Sequence, residues 1–225
     1  MSLKKFDLHI HSCYSKDSVS KPKDIVKFAI KKGLGGIAIT DHNTIKGSLE
    51  TQKIAKKINP DFIVILGSEI RTKQGELLAY DIQEEIPKGL SFEETFELIK
   101  EQGGLCIIPH PFSNYFLRPL SKRWDKNIFK KVDGIEVFNS GNLKIGNKKA
   151  MFVAKKLNLP VTAGSDAHVI DSIGLAGIIC EDPLKDIKKK RVEIFGKYRP
   201  FTHWIKNYYL RVRSLKILLA LKIKY

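Results

Sequence analysis

A chain of 225 residues with 43% hydrophobic side chains can bury one sizeable core and is short for two, so a single domain with a terminal appendage is expected. Its 40 Lys and Arg against 24 Asp and Glu give a net charge of +16, concentrated at the end: residues 183–225 hold 13 basic and 2 acidic side chains, residues 1–182 hold 27 and 22. No apolar run approaches the roughly 18 residues of a membrane span, and the opening Met-Ser-Leu-Lys-Lys is too polar for a secretory signal. Cys13, Cys106 and Cys180 stand far apart with no C-x-x-C pairing, so the expectation is a cytoplasmic protein with free thiols.

Taken in order, Asp7-Leu-His-Ile-His11 reads as a strand on which His9 and His11 share one face while Leu8 and Ile10 face the packing. Lys23 to Lys32 carries Ile25, Val26, Phe28, Ala29 and Ile30 at helical spacing and stops at Gly33. Gly35 to Thr40 reads as a buried strand leading into Asp41-His42, and Thr44 to Ile58 as a second amphipathic helix. Phe62 to Leu66 is a third strand, ending at Gly67-Ser-Glu69. Arg71 to Gly75 is too short for a crossover helix before the strand Glu76 to Tyr80, so these two strands should form a hairpin. Ser91 with Glu94 three residues on is a capping box opening a helix that closes at Gly103-Gly104. Leu105 to Ile108 is a strand ending in Pro109-His110-Pro111, followed by a loop over Phe112 to Arg123 and a short helix from Trp124 to Lys131. Gly134 to Asn139 is a strand, Leu143 to Leu157 a helix, and Pro160-Val-Thr-Ala leads into Gly164-Ser-Asp166-Ala-His168.

The polar residues with metal-binding chemistry share one address. His9 and His11, His42, Glu69, His110, and Asp166 with His168 all fall at the carboxyl ends of these strands, and only His203 of the six histidines lies elsewhere. In a closed, mainly parallel barrel such ends converge on one rim.

The ordered set His9-x-His11, Asp17, Asp41-His42, Gly67-x-Glu69, Pro109-His110-Pro111 and Ser165-Asp-Ala-His168 resembles the PHP family, the polymerase and histidinol phosphatase superfamily of metal-dependent phosphoesterases. The resemblance runs from residue 5 to about 180, and implies an α/β fold, a distorted (β/α)7 TIM-like barrel with two or three Zn, Mn or Fe ions at the carboxyl rim. By position, His9, His11, Glu69 and Asp166 resemble the family's first metal site, with Glu69 bridging to a second ion on His110, while Asp17, His42 and His168 resemble the third. The family often has a histidine seven residues after the bridging glutamate; here Glu76 stands there, and whether it ligates is left open. Asp7 and Asp41 read as partners orienting their neighbours, or as solubilising strand ends, and Cys13 as a bystander.

The implied reaction is hydrolysis of a phosphoester by metal-activated hydroxide, with Glu69 and Asp166 in the catalytic machinery. The substrate would be anionic: a small phosphorylated metabolite, a nucleotide or a short oligonucleotide. Arg118 is the first candidate for gripping its phosphate, with Lys16 and Arg71 behind it. Two alternatives stand beside this reading, an amidohydrolase-like C–N hydrolase and a nonenzymatic PHP module that binds nucleic acid. Residues 1–182 are expected to form the barrel and 183–225 a basic helical extension packed on it. Asp182-Pro183 has the form of an N-cap followed by Pro, opening a helix that contains Lys188 to Arg191. Phe201, Trp204, Ile205, Tyr208, Val212, Leu215 and Leu219 then recur at helical spacing, a stripe that either closes the barrel or contacts RNA, DNA or acidic lipid.

Overall fold

The computed structural model describes residues 2–113 and 126–203, with 205, 206, 208, 209 and 212 beyond them. Strands and helices alternate: β1 (Lys4–Ile10), α1 (Pro22–Lys31), β2 (Gly36–Ile39), α2 (Lys46–Ile58), β3 (Ile63–Arg71), β4 (Glu76–Tyr80), α3 (Phe92–Glu101), β5 (Leu105–Ile108), α4 (Lys126–Lys131), β6 (Gly134–Asn139), α5 (Lys144–Lys156), β7 (Val161–Gly164), β8 (Ala176–Cys180), α6 (Pro183–Lys188) and β9 (Glu193–Gly196). They form one sheet in the order β7-β6-β5-β4-β3-β2-β1-β8-β9. β1, β2 and β3 run parallel, as do β5, β6 and β7. β4 is antiparallel to both its neighbours. The chain just past β7 then returns to β1, where Ile10 bridges Ala167 and the His11 N–H donates to the Ala167 carbonyl at 2.9 Å. The sheet is thereby a nearly closed, distorted TIM-like barrel.

Local sequence explains most element ends. Pro22 and Pro183 sit in the first turns of α1 and α6, where a missing N–H costs nothing. Asp182 accepts from the Lys185 N–H, and Ser91 and Glu94 exchange both bonds of the capping box on α3. The hairpin at Arg71 to Glu76 is present, with Glu69 opposite Leu78. Two features depart from expectation. α6 stops at Lys188, Lys190 takes a left-handed φ of 55°, and the chain turns into β9, which pairs with β8. β8 is itself antiparallel to β1, a pairing that four or five short residues do not advertise.

The barrel interior packs Phe6, Leu8, Leu78, Tyr80, Ile107 and Ile178. Each such side chain removed from water contributes about 1.5–3 kcal/mol, and the Tyr80 hydroxyl donates to the Leu8 carbonyl at 2.9 Å. Outside the wall, Ile25 and Val26 of α1 cover Ile37 and Ile39, while Phe92 and Ile99 of α3 cover Leu77 and Cys106.

One irregularity positions the chemistry. Between Asp7 and Ile10 the pairing of β1 with β2 slips, three steps on β1 matching two on β2. This bulge breaks the expected alternation: Leu8 packs inside the barrel, whereas Ile10 packs outside against α1 and β2. Leu8 and Ile10 therefore do not share a packing face, although His9 and His11 still converge.

Candidate metal centre

Because β1, β2, β3, β5 and β7 point the same way, the residues at their carboxyl ends meet on one rim. β4 runs the other way, so it is its first residue, Glu76, opposite Arg71 in the hairpin, that reaches this rim and brings a donor atom within 4.8 Å of those of Glu69 and His110. Four groups of donors result, each with ligand atoms within 4.8 Å of one another: His9, His11 and Asp166; His11, His42 and His168; Glu69, Glu76 and His110; and His9, His110 and Glu136. His9 Nε2 lies 3.2 Å from His11 Nε2, and Asp166 Oδ1 stands 3.6 and 3.3 Å from the two. Glu69 divides its oxygens: Oε1 faces His110 Nε2 at 3.1 Å, while Oε2 faces His42 Nδ1 at 3.0 Å and His11 Nε2 at 3.5 Å. Asp17 Oδ2 lies between His42 and His168, 3.3 and 3.2 Å from their Nε2 atoms. His9, His11 and Glu69 are fully or almost fully buried, whereas the side chains of Asp17 and His42 are 28% and 25% exposed and form the mouth.

The outer partners fix which ring nitrogen carries a proton. His9 Nδ1 faces the Glu136 carboxylate at 3.0 Å, and His168 Nδ1 faces the Asp166 carbonyl at 3.0 Å; both partners only accept. His11 Nδ1 faces the Ser15 hydroxyl at 3.2 Å, which gives its own proton to Asp41 Oδ1 at 2.7 Å and so must accept from the ring. In all three rings Nδ1 is a donor, and Nε2 is the atom that faces the cluster. Without metal, burial works to lower His9, but Glu136, Asp166 and Glu69 overcome it and raise the ring well above the usual imidazole range, so its Nε2 donates to the His11 Nε2 at 3.2 Å; a divalent cation among these donors would take that proton's place. The donor set therefore fits divalent metal, and mixed imidazole and carboxylate ligation suits zinc, manganese or iron.

Electrostatics in the metal-free arrangement follow the same geometry. Burial, reinforced by His168 and His42, pushes His11 down to about 3. Burial works in the same direction on His42 and His110, but the carboxylates around them, Glu69 foremost, overcome it and raise His42 to about 11 and His110 to about 9. Burial alone would raise Glu69, yet His42 and His9 hold it well below the usual carboxylate range.

Several buried groups hold the ligands without reaching the cluster. Asp41 accepts from the Ser12 N–H and both the Ser12 and Ser15 hydroxyls at 2.6–2.7 Å. Gly47 is required beside it, since a Cβ there would meet Asp41 Oδ2 at 1.9 Å. Asp7, raised to about 6 by burial against the hydrogen bonds it accepts, takes N–H bonds from Ser165 at 2.9 Å and Gly174 at 2.8 Å. Both aspartates are buried and bonded to neighbours of the candidate ligands, which fits the orienting reading and not that of solubilising strand ends. Arg199, buried, donates through one nitrogen to the Ser165 and Asp166 carbonyls at 2.7 and 2.5 Å. Gly164 lets β7 approach β1, because a Cβ there would sit 2.3 Å from the His9 Cβ.

The structure brings together His9, His11, Asp17, His42, Glu69, Glu76, His110, Asp166 and His168. Arg118 lies outside the described residues, and Lys16 and Arg71 are exposed. Cys13 is exposed and stands in none of the donor groups among the described residues. Three contributors escaped the sequence reading: Glu136, Ser15 and Arg199. Only Glu136 carried a signal, as a lone carboxylate inside the apolar strand Gly134–Asn139.

A nearly closed α/β barrel with imidazoles and carboxylates gathered on its carboxyl rim is the architecture of metal-dependent hydrolases. The chain belongs to the PHP domain family, whose model matches residues 7–198. It is 49% identical over 147 residues to an uncharacterized protein of Methanocaldococcus jannaschii, covering 60% of this chain and 82% of that one. A shorter similarity, 41% over 69 residues, links it to a 5'-3' exoribonuclease of Haemophilus influenzae, covering 31% of this chain and 24% of the relative. Among solved structures, a two-domain protein of Bacteroides vulgatus containing a predicted PHP-like metal-dependent phosphoesterase superposes with a TM-score of 0.72 at 20% identity, covering 87% of this chain and 65% of that chain.

Proposed function

We propose that the chain hydrolyses phosphoesters, with a nucleotide or short oligonucleotide as the substrate class. The observation that carries this reading is the convergence of His9, His11 and Asp166 on one side of Glu69 and of His110 on the other, with Asp17, His42 and His168 at the mouth. His9, His11, Glu69 and Asp166 would hold a first ion, Glu69 and His110 with Glu76 a second, and Asp17, His42 and His168 a third. When bound, such ions supply Lewis acidity, making water nucleophilic near neutral pH and neutralising phosphoryl oxygens.

The chain's own contribution is orientation. Glu136, Ser15 and the Asp166 carbonyl keep three imidazoles in the ligating tautomer, and the buried wall beneath excludes bulk water from Glu69 and Asp166. Asp17 and His42, partly exposed, stand where a phosphate enters. Arg118 remains the proposed cation for a terminal phosphate, on sequence alone. Similarity over 69 residues to an exoribonuclease favours a nucleic-acid fragment over other phosphorylated metabolites.

The test is a substrate panel with metal-reconstituted protein: p-nitrophenyl phosphate, its bis ester, nucleoside phosphates and short 5'-phosphorylated RNA. Turnover of at least one phosphoester should vanish in chelator and return with manganese or zinc. Equal turnover in chelator, or cleavage of none of these while an amide or cyclic amidine is hydrolysed, refutes the proposal.

A further inference from the structure

A helix facing solvent ordinarily balances its lysines with acids three or four residues away. α5 does not: Lys144–Lys156 carries five lysines and no acidic residue, and among the described residues none of the five joins an ion pair. All five are exposed. Lys144 and Lys148, four apart, repel each other. Lys144 also stands in the first turn, where the helix dipole is positive and neither an acid nor a side-chain cap meets it. Charges kept at such a cost give the outer face of α5 a strongly positive potential, which suits an anion supplied from outside the chain.

The apolar side chain on that face is as unusual as the charge. α5 packs on the barrel through Gly146, Asn147, Ala150 and Ala154, with Met151 and Val153 against the core beside them. Phe152 takes no part in this packing and is 66% exposed. Residues three and four apart are neighbours on a helix surface, and the four such neighbours of Phe152 are Lys148, Lys149, Lys155 and Lys156. One open aromatic ring is therefore surrounded by four ammonium groups.

Position and length point to the occupant. α5 starts on the same rim as the metal centre, because it follows the carboxyl end of β6, and in the turn between them the Ser140 hydroxyl donates to the Ser165 carbonyl at 2.6 Å, next to Asp166. From Lys144 to Lys156 the axis runs down the barrel for about 18 Å, room for a few extended nucleotides. An acidic bilayer would need an apolar stripe to sink among acyl chains, and the neighbours of Phe152 are lysines instead. A single strand of nucleic acid meets both features, since its phosphates match the lysines and its unpaired bases offer a face to the ring.

We propose that the outer face of α5, with Phe152 set among Lys148, Lys149, Lys155 and Lys156, binds single-stranded nucleic acid and holds the body of an oligonucleotide whose end lies in the metal centre. Only the placing of that end rests on the hydrolytic reading. Binding is measured without turnover, so the two fail separately.

The experiment is fluorescence anisotropy of the zinc-reconstituted full chain with a labelled single-stranded RNA about a dozen nucleotides long, its linkages phosphorothioate so that it resists hydrolysis. Lys148→Ala, Lys149→Ala, Lys155→Ala and Lys156→Ala together should weaken binding at low salt at least about tenfold. They should also flatten the slope of log affinity against log salt by up to about 3, at about 0.7 for each phosphate released. Phe152→Ala should weaken binding about fivefold or more and leave the slope unchanged. These side chains are exposed, so melting temperatures near that of the wild type show that both variants are folded. Wild-type affinity or slope in the lysine variant, or wild-type affinity in Phe152→Ala, overturns the proposal. So does duplex RNA bound as tightly as the single strand, a phosphatidylglycerol vesicle that displaces the RNA and is released by Phe152→Ala, or a dimer in solution that Phe152→Ala dissociates.

Discussion

Replacing Glu136 with Gln changes one atom of the centre's support and should reverse the polarity of His9. The wild-type carboxylate gives Oε1 to His9 Nδ1 at 3.0 Å, and Oε2 to two donors, the His110 N–H at 2.9 Å and Asn139 Nδ2 at 3.0 Å. The Asn139 amide cannot turn to relieve a conflict, because its Oδ1 is held by the Gly141 N–H at 2.9 Å. A glutamine must therefore keep its oxygen towards the two donors and present its amine to His9. That amine can only donate, which moves the His9 proton from Nδ1 to Nε2, the atom 3.2 Å from His11 Nε2. Ligation at Nε2 then requires breaking the new hydrogen bond, at a cost of about 1–3 kcal/mol, which corresponds to metal binding weakened about 10-fold to 100-fold. Volume is conserved but the bonds to the His110 N–H and to His9 lose their charge, so the metal-free melting temperature should also fall. Titration with zinc against a competing chelator, together with nitrogen NMR of the imidazoles, measures affinity and tautomer at once. Unchanged affinity, or a His9 ring still protonated at Nδ1, refutes the reasoning.

Chelation should be stepwise: the ion at Asp17, His42 and His168 should leave first, because two of its ligands are about a quarter exposed while His9, His11 and Glu69 are buried; elemental analysis that shows all ions leaving at one rate contradicts this order. In the metal-free protein the charged forms of His42 and His110, with pKa values raised to about 11 and 9, add stability that is fully present below about 6.5 and lost as pH climbs through 9 and then 11. Metal must displace those protons, so affinity should rise with pH until it has passed about 9 and then about 11, and calorimetry in buffers of different ionisation enthalpy should record proton release on binding; no release opposes the assignment. Arg199→Met leaves the Ser165 and Asp166 carbonyls without their guanidinium donor, costing about 1–3 kcal/mol and roughly 2–4 °C of melting temperature per kcal/mol; Arg199→Lys should recover part of that loss and of the metal affinity, and a methionine variant with wild-type melting and metal content would reduce Arg199 to a bystander.

The clustering of the candidate ligands was legible because their spacing is tied to strand ends. A histidine or acid two or three residues past a buried strand is placed by local sequence alone, as with His42 after Gly36–Ile39 and His110 after Leu105–Ile108. The hairpin was legible for a similar local reason, since the gap from Arg71 to Glu76 admits nothing longer than a turn. What escaped depends on partners distant in sequence. The bulge in β1 is a matter of register against β2, and nothing in Asp7-Leu-His-Ile announces that Leu8 turns inward and Ile10 outward. Arg199 reaches carbonyls 33 and 34 residues earlier, and beside Pro200 it reads as one more solvated arginine in a basic segment. β8 and β9 were missed because four or five residues containing glycine carry little periodicity, and β9 interrupts a run of lysines that favours a longer helix.

Two candidate ligands adopt backbone conformations that non-glycine residues avoid: His110 has φ of 23° and Asp166 has φ of 52°. Each costs on the order of 1–3 kcal/mol and persists only where its surroundings dictate it. The surroundings that do so come from distant parts of the chain. Glu136 takes the His110 N–H, while Arg199 holds the Asp166 carbonyl and Asp7 takes the neighbouring Ser165 N–H. Charged hydrogen bonds of this kind contribute about 1.5–3 kcal/mol each, enough to offset the strain at both positions. Glu136 acts twice in this scheme, gripping the backbone of one ligand and the ring of another, His9. The buried charges beneath the rim thus set the ligand geometry from below, before any metal binds, and the ions have only to enter donors that already face one another.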